Sequence, residues 1–565
     1  MKKSASPVVV VLLLILLVVL AGGVTMFVKR YTPTNTEMDG TEYYGLTGEE
    51  QTALVVDGQL LEEKGLLVDG RVYIDCTTVG TYINGRFYWD DREQKMIITL
   101  PEEAITFAPE STVYEQGGVE KQADEVLLRK IGEKDYLALD FIGQYTNMAW
   151  NIYEDPSRTV IRTDWETLQG VTALEDTKVR LKGGIKSPVL TEVPEGTRMY
   201  FREDLDDWYE VFTEDGYRGY VPSKTVSAPE KIQEEPVNVV PEYTSIRKDY
   251  PINLAWHQVT SAGANEMLDE VTAEMTGVNT ISPTWFSIQS EDGTLSSLAD
   301  ASYVEKAHGK GLEVWALIDN FNKEVSTLEV LSSTPKRAYM IQQLMDSAAA
   351  CGFDGINVDF ESIKEEEAPH YIQFIRELSI ACRRAGLVLS VDNPVPQPYN
   401  LYYDRKEQGI VADYVIIMGY DEHYGGGSEA GSVASLPFVR DGIEATLKEV
   451  PKEKVINGIP FYTRLWKKPH GSAELYSEVM NMDQSQAYIA EQEANGMVAY
   501  WDEELGQTVA EMDGDDGLYQ IWVEDERSIE EKMKLIREYE LAGVAEWKLG
   551  FERASVWNII AGYLQ

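Results

Sequence analysis

Asp354-Gly355-Ile356-Asn357-Val358-Asp359-Phe360-Glu361 is a short apolar run that carries three polar side chains at two-residue spacing. Side chains alternate along an extended strand, so Asn357, Asp359 and Glu361 fall on one face and Ile356, Val358 and Phe360 on the other. Two carboxylates on a poorly solvated face crowd each other, and like charges held close push at least one pKa upward. That is how a carboxylic acid stays protonated near neutral pH. A structural strand with a salt-bridged end is the plainer reading, but such strands seldom align three groups of this kind.

Outward from this run, strand-like apolar stretches begin at Ile252, Val278, Leu312, Gly355, Val388, Tyr414, Val455 and Val544, separated by amphipathic helical stretches. Eight strands alternating with crossover helices predict a closed (β/α)8 barrel over residues 249–565, with functional groups gathered where strands end. An insertion over about 467–525 contains two further strand-like runs, around Val498–Asp502 and Tyr519–Val523.

Three other strand ends are marked. They are Met418-Gly419-Tyr420-Asp421, Gly458-Ile459-Pro460-Phe461-Tyr462-Thr463-Arg464-Leu465-Trp466, and Gly543-Val544-Ala545-Glu546-Trp547. With the opening run, and in this order, they resemble the signatures of family 18 glycoside hydrolases: Asp-Gly-x-Asp-x-Asp-x-Glu, Met-x-Tyr-Asp, Gly-Ile-Pro-Phe-Tyr-Gly-Arg-x-Trp and a terminal tryptophan strand. Two departures are Asn357 for an aspartate and Thr463 for a glycine. The resemblance implies substrate-assisted, retaining chemistry in which the sugar's 2-acetamido oxygen attacks the anomeric carbon, with no cofactor and no metal. Glu361 is then the general acid and later the base. Asp359 holds the acetamido N–H and stabilises the oxazolinium ion, Tyr420 bonds the acetamido oxygen, and Trp547 floors the sugar ring.

Tyr462, Asp421 and Arg464 complete the expected substrate-binding set, Asp421 tuning the site and Arg464 pairing with a carboxylate or a substrate oxygen. Trp256 and Trp285, with Trp315 and Trp466, stand near strand ends as stacking platforms or as core. Asn357, counted with the substrate-binding residues, can mimic a protonated carboxyl. Asp359 is therefore expected to ionise more readily and the acidic limb of the pH profile to lose one coupled titration. An asparagine here also resembles the spore-cortex and cell-wall branch of the family, which points to peptidoglycan.

The remaining sequence is consistent with an extracellular, multidomain protein. A chain of 565 residues exceeds one core, and its formal net charge of -45 repels nucleic acid and acidic polymers. Three scattered cysteines (Cys76, Cys351, Cys382) form no disulfide framework, and five histidines show no zinc spacing. The apolar run Val8–Val28, flanked by Lys2-Lys3 and Lys29-Arg30, matches the roughly 20 residues that cross a bilayer. Residues 1–30 are thus expected to be a cytoplasmic head and single-pass anchor with everything later outside; a cleaved signal is the alternative.

Residues 31–43 resemble a polar stalk. Residues 44–166 contain a repeat at a shift of 63, in which Tyr73, Gly80, Tyr82, Asn84 and Phe87 fall on Tyr136, Gly143, Tyr145, Asn147 and Trp150. This module resembles the amine-oxidase N-terminal-like module, an α+β unit. Residues 170–227, with Asp207-Trp208-Tyr209-Glu210-Val211, an Asp215-Gly216 turn and Gly219-Tyr220-Val221, resemble the bacterial SH3-like all-β barrel. That resemblance implies a contact with wall peptide or glycan. Residues 228–248 are Pro-rich and acidic and form an expected linker.

The combined expectation is a membrane-tethered N-acetylglucosaminidase that cleaves β-1,4 linkages of cell-wall peptidoglycan. Two alternatives stay open: a chitinase-like hydrolase of other N-acetylglucosamine polymers, and a non-catalytic glycan-binding wall protein. Retention of Glu361, Asp359 and Tyr420 speaks against the last.

Overall fold

The computed structural model describes residues 7–165, 168–233 and 240–564. The expected cytoplasmic head at residues 1–6 and the centre of the expected linker, 234–239, lie outside the described residues. The chain divides into two compact units. The C-terminal unit comprises Pro241–Gln565 with Asp90–Thr106 and Glu115–Glu120, and the rest forms the N-terminal unit.

In the N-terminal unit, a helix Pro7–Tyr31 carries only apolar and small residues until Lys29. Its Leu14–Tyr31 window has a mean hydropathy of 1.8 and is not buried, which is long and apolar enough to cross a membrane. The segment after it is not a free stalk. Thr34 N–H donates to the Ile185 carbonyl at 2.8 Å, Val189 N–H to Thr36 at 2.8 Å and Met38 N–H to Val189 at 2.8 Å. It therefore lies as an extra ribbon on the SH3-like strands.

The internal repeat is visible as structure. Strand Arg71–Asp75, a helical turn, and the strands Phe87–Asp90 and Lys95–Thr99 recur as Lys134–Ala138, Leu139–Gln144, Ala149–Glu154 and Ser157–Arg162. The first strands of the two copies pair antiparallel with Ile74 opposite Leu137, its own equivalent, so the copies meet about a local two-fold axis. One copy's hairpin joins the large sheet of the N-terminal unit, whereas residues 90–106 of the other belong to the C-terminal unit.

The SH3-like strands form a seven-stranded antiparallel sheet in which Trp208–Phe212 pairs with Arg218–Pro222 across the expected Asp215-Gly216 turn. The repeat module and this sheet are not separate beads. Tyr44, Ala53 and Val55 share one buried cluster with Val171, Val179, Val211 and Val221. Units this small cannot bury their own apolar faces, so they bury them together.

The C-terminal unit contains eight parallel strands: β1 Ile252–His257, β2 Thr280–Ile288, β3 Glu313–Asp319, β4 Gly355–Asp359, β5 Val388–Pro394, β6 Tyr414–Met418, β7 Val455–Pro460 and β8 Gly543–Trp547. Each pairs with the next and β1 with both β2 and β8, which closes the barrel. Alternation sorts their side chains. Leu254, Trp256, Trp315, Leu317, Ile416 and Ile456 fill the barrel, while Ala255, Ile318, Ile356 and Val358 face the surrounding helices.

Both faces are buried, so the strands read as near-continuous apolar runs rather than alternating ones. Gly543 is required where β8 meets β1, since a Cβ there would lie 2.0 Å from the Ile252 carbonyl oxygen.

The run after β7 departs from expectation. The barrel strand ends at Pro460, and Tyr462–Pro469 is a separate strand at the start of a five-stranded antiparallel sheet with Tyr476–Asn481, Gly517–Val523, Gln507–Gly514 and Val498–Asp502. The insertion thus begins at Tyr462, not near 467. Tyr462 and Arg464 consequently belong to its sheet and not to the barrel.

Candidate active site

Strand β4 ends at Asp359, and the chain bends away through Phe360 so that Glu361 stands at the open mouth rather than on the strand itself. Ser362 follows with a φ of 54°, a left-handed conformation rare outside glycine, which makes the turn possible. Asn320, at the end of β3, fixes the Glu361 backbone from both sides. Its carbonyl accepts from Glu361 N–H at 2.9 Å and its amide donates to Glu361 C=O at 3.0 Å. Desolvation, then the nearby Asp421 and Asp319 carboxylates, raises the Glu361 pKa, as suits a proton donor.

Beneath it lies a buried polar layer. Asn357 is wholly inaccessible and makes four hydrogen bonds. Its carbonyl accepts from Trp256 Nε1 at 2.9 Å and Ser282 Oγ at 3.0 Å, and its amide donates to Ser390 Oγ at 3.0 Å and Asp392 Oδ1 at 2.7 Å. The Trp256 indole can only donate, which fixes the carbonyl end of the amide. Asn357 is therefore a structural bridge with no valence left for substrate, contrary to the expectation that placed it with the binding residues.

Asp392, on β5, was not singled out from the sequence. It is 1% exposed with Oδ2 unpartnered, beside Asp359, which is 5% exposed with Oδ1 unpartnered. Burial pushes both carboxyls far up, and each feels like charge, Asp359 from Asp392 and then Glu361, Asp392 from Glu361. Ionising one of these neighbours makes the next harder to ionise. Asp392, on the neighbouring strand, thus sets beside Asp359 the acidic side chain that Asn357 does not supply. An aspartate at 357 would turn a second oxygen toward Asp392, whereas the amide N–H offers that carboxylate a donor.

Tyr420 follows β6 with its ring against Gly458, where a Cβ would stand 3.1 Å from the ring edge. Burial, then Tyr462 and the Asp359, Asp392 and Glu361 carboxyls, holds its hydroxyl protonated. It is therefore a donor. Asp421, at a φ of 58°, accepts from Tyr462 Oη at 2.7 Å and pairs with Arg464 Nη2 at 3.3 Å, so the insertion sheet supplies two side chains to the rim. Trp547 ends β8, half-buried, with its ring 5.9 Å edge-on from Trp256.

The structure does not bring all the expected aromatics into the mouth. Trp285 is 2% exposed, bonds Asn265 Oδ1 at 2.9 Å and lies in the cluster between strands and helices. Trp256 (1%), Trp315 (0%) and Trp466 (1%) are likewise buried. These four are core. The open aromatic rings on loops that follow strand ends are instead Phe321 after β3, Tyr399 after β5 and Tyr424 after β6. Among the described residues no cluster of three or more histidine, cysteine, aspartate or glutamate side chains could hold a metal ion.

A mouth lined by one raised acid, a buried carboxyl pair and a protonated tyrosine is fitted to break an acetal bond, and comparison with known proteins agrees. Residues 256–552 match the family described as Glycosyl hydrolases family 18, and residues 175–227 match the Bacterial SH3 domain. The chain is 27% identical over 312 residues to the Uncharacterized glycosylase YvbX of Bacillus subtilis, covering 53% of this chain and 89% of that one. It is 28% identical over 247 residues to the Cortical fragment-lytic enzyme of the same organism, covering 43% of this chain and 56% of that protein's length. The fold matches the Bacillus cereus spore cortex-lytic enzyme SleL with a TM-score of 0.50 at 22% identity, over 60% of this chain and 77% of that one. The chain belongs to family 18 of the glycosyl hydrolases.

Proposed function

We propose that this chain is a retaining hydrolase of N-acetylglucosamine-containing glycan in the bacterial cell wall. The carrying observation is Glu361, raised in pKa and open to the mouth, above the buried Asp359–Asp392 pair and near the Tyr420 hydroxyl. Glu361 protonates the departing glycosidic oxygen. The positive oxazolinium that forms from the substrate's own acetamido group is stabilised by ionised Asp359, which accepts the acetamido N–H, while Tyr420 donates to the acetamido oxygen.

Asp392 keeps the layer's proton when Asp359 gives it up, and Asn357 holds Asp392 in place. Glu361, now a base, activates water for the second step, so configuration is retained. The Asp421–Tyr462–Arg464 rim orients the sugar, and Trp547 supports its apolar face.

Peptidoglycan is favoured as the polymer by the relative named as a cortical fragment-lytic enzyme. The helix Pro7–Tyr31 favours retention at the membrane with the catalytic unit outside. Digestion of purified peptidoglycan and of chitin, with new reducing ends identified by mass spectrometry, tests both. Wild type should release N-acetylglucosamine ends from peptidoglycan and Glu361→Gln should not. Release from chitin alone would replace the substrate, and turnover by Glu361→Gln at the wild-type rate would overturn the mechanism.

A further inference from the structure

A cleft of about 540 Å³ opens in the N-terminal unit, within the range of small-ligand sites. Its walls are built rather than left over. Gly58, at a φ of 76°, carries no Cβ, and one placed there would lie 2.7 Å from the Phe212 ring, which therefore lies flat on this turn. Tyr200 stacks on Phe212 at 4.6 Å and 14°. Arg162 bridges the Tyr200 and Trp165 rings at 5.3 and 5.1 Å and donates to Tyr200 Oη at 3.2 Å. Asp57 pins the segment leading to Trp165 by accepting from Thr163 N–H at 2.8 Å and Asp164 N–H at 3.1 Å, and the indole N–H donates to the Asn147 carbonyl at 2.8 Å.

The repeat shows that these rings are not simply core. Trp150 occupies the position of Phe87 in the other copy. Phe87 is 3% exposed, whereas Trp150 is only half-buried and lines the cleft. The larger ring packs on Gly143 of its own copy and still leaves part of itself in the cleft.

The ligand chemistry follows from the lining. The Trp150 and Trp165 rings stand beside amides (Gln59, Asn151), backed by the mutually stacked Tyr200 and Phe212, while charges of both signs, Arg202 and Glu214, leave no strong field. Pyranose rings offer apolar C–H faces ringed by neutral donors and acceptors, and this lining answers them; a polyanion would meet a chain of net charge -45.

We infer that this cleft binds neutral glycan, a second and non-catalytic sugar site that holds the polymer while Glu361 cuts it. The identity of the polymer rests on the proposed function above.

Titration of the detergent-solubilised full chain, carrying Glu361→Gln to stop turnover, with a hexasaccharide of N-acetylglucosamine should show two sites. Adding Trp165→Ala and Tyr200→Ala should leave one, and Trp165→Phe, which keeps a ring, should retain both. Because losing two rings can disturb the fold, Asn151→Lys tests the same site by obstruction from an exposed position. With Glu361 intact, Asn151→Lys should slow release from the polymer about tenfold and leave a short chromogenic substrate unaffected. One site in every variant would overturn the inference, as would saturation of the second site by a wall stem peptide that the hexasaccharide cannot displace. Two sites in a wild-type protein that releases no reducing ends would support the cleft and sink only the hydrolase reading.

Discussion

The floor of the barrel mouth and its rim both carry carboxylates, and they treat them in opposite ways. On the floor, Asp359 and Asp392 are almost wholly buried, each with an oxygen that no protein group partners. On the rim, Asp421 is exposed, and its Oδ1 is shared by Tyr462 and Arg464. An unsolvated, under-bonded carboxylate is costly, so the floor holds protons and waits for a ligand with an N–H to donate. The rim carboxylate stands in water with a cation and a hydroxyl on one oxygen, and it can orient substrate from there. The proton that Asp359 must lose therefore belongs to the floor and orientation to the rim, with Glu361 standing between them and its own pKa raised in part by the rim's Asp421.

Experiments can break this division, beginning with the largest effect. Glu361→Gln should lower kcat by about 10²- to 10⁴-fold with little change in KM, read as reducing ends from peptidoglycan. The raised pKa of Glu361 sets the alkaline limb in wild type, because the acid must be protonated and activity falls as pH rises through that pKa.

On the floor, Asp392→Asn should cost about tenfold and move the acidic limb to lower pH. Asp359 must be ionised, the Asp392 charge is one of the causes raising it, and without that charge Asp359 ionises earlier. Asp421→Asn on the rim should leave that limb in place; an equal shift from both would erase the distinction.

Asn320→Ala, which frees the Glu361 backbone, should lower kcat several-fold without moving either limb. Smaller still, Arg464→Lys should raise KM by roughly threefold at unchanged kcat, since a partly exposed ion pair contributes on the order of 1 kcal/mol at most.

Glu546 on β8 offers a control away from the mouth. Both its oxygens are buried without partners, and burial raises its pKa well above the usual range. The folded state keeps this proton after the unfolded chain has lost it, so stability falls as pH rises above the unfolded value of about 4.3. Glu546→Gln should leave activity unchanged and raise the melting temperature at pH 8 by a few degrees more than at pH 5, by calorimetry.

Much of the barrel was legible because β4, β5, β6 and β7 start where apolar runs begin, at Gly355, Val388, Tyr414 and Val455. The alternation through Asn357 and Asp359 also located the polar layer. Asp392 escaped notice although Ser390-Val391-Asp392 shows the same two-residue spacing, since the β5 run was read only for its hydrophobicity.

The tryptophans misled for a physical reason. In a barrel strand buried on both faces, nothing local says whether a ring points into the mouth, the interior or the helices, and Trp285 went to the helices. Asn320 acts through its backbone contacts with Glu361, a pairing across 41 residues that no local pattern announces.

The ribbon that ties residues 34–38 to the SH3-like strands leaves only two residues, Thr32 and Pro33, between the end of the apolar helix at Tyr31 and its first backbone anchor. Even fully extended, such a span reaches about 10 Å, and Lys186 Nζ shortens it further by gripping the Thr32 carbonyl at 2.5 Å. With the helix seated in a bilayer, the N-terminal unit rides on a leash without slack. Wherever the end of that helix is held, the SH3-like strands are held with it.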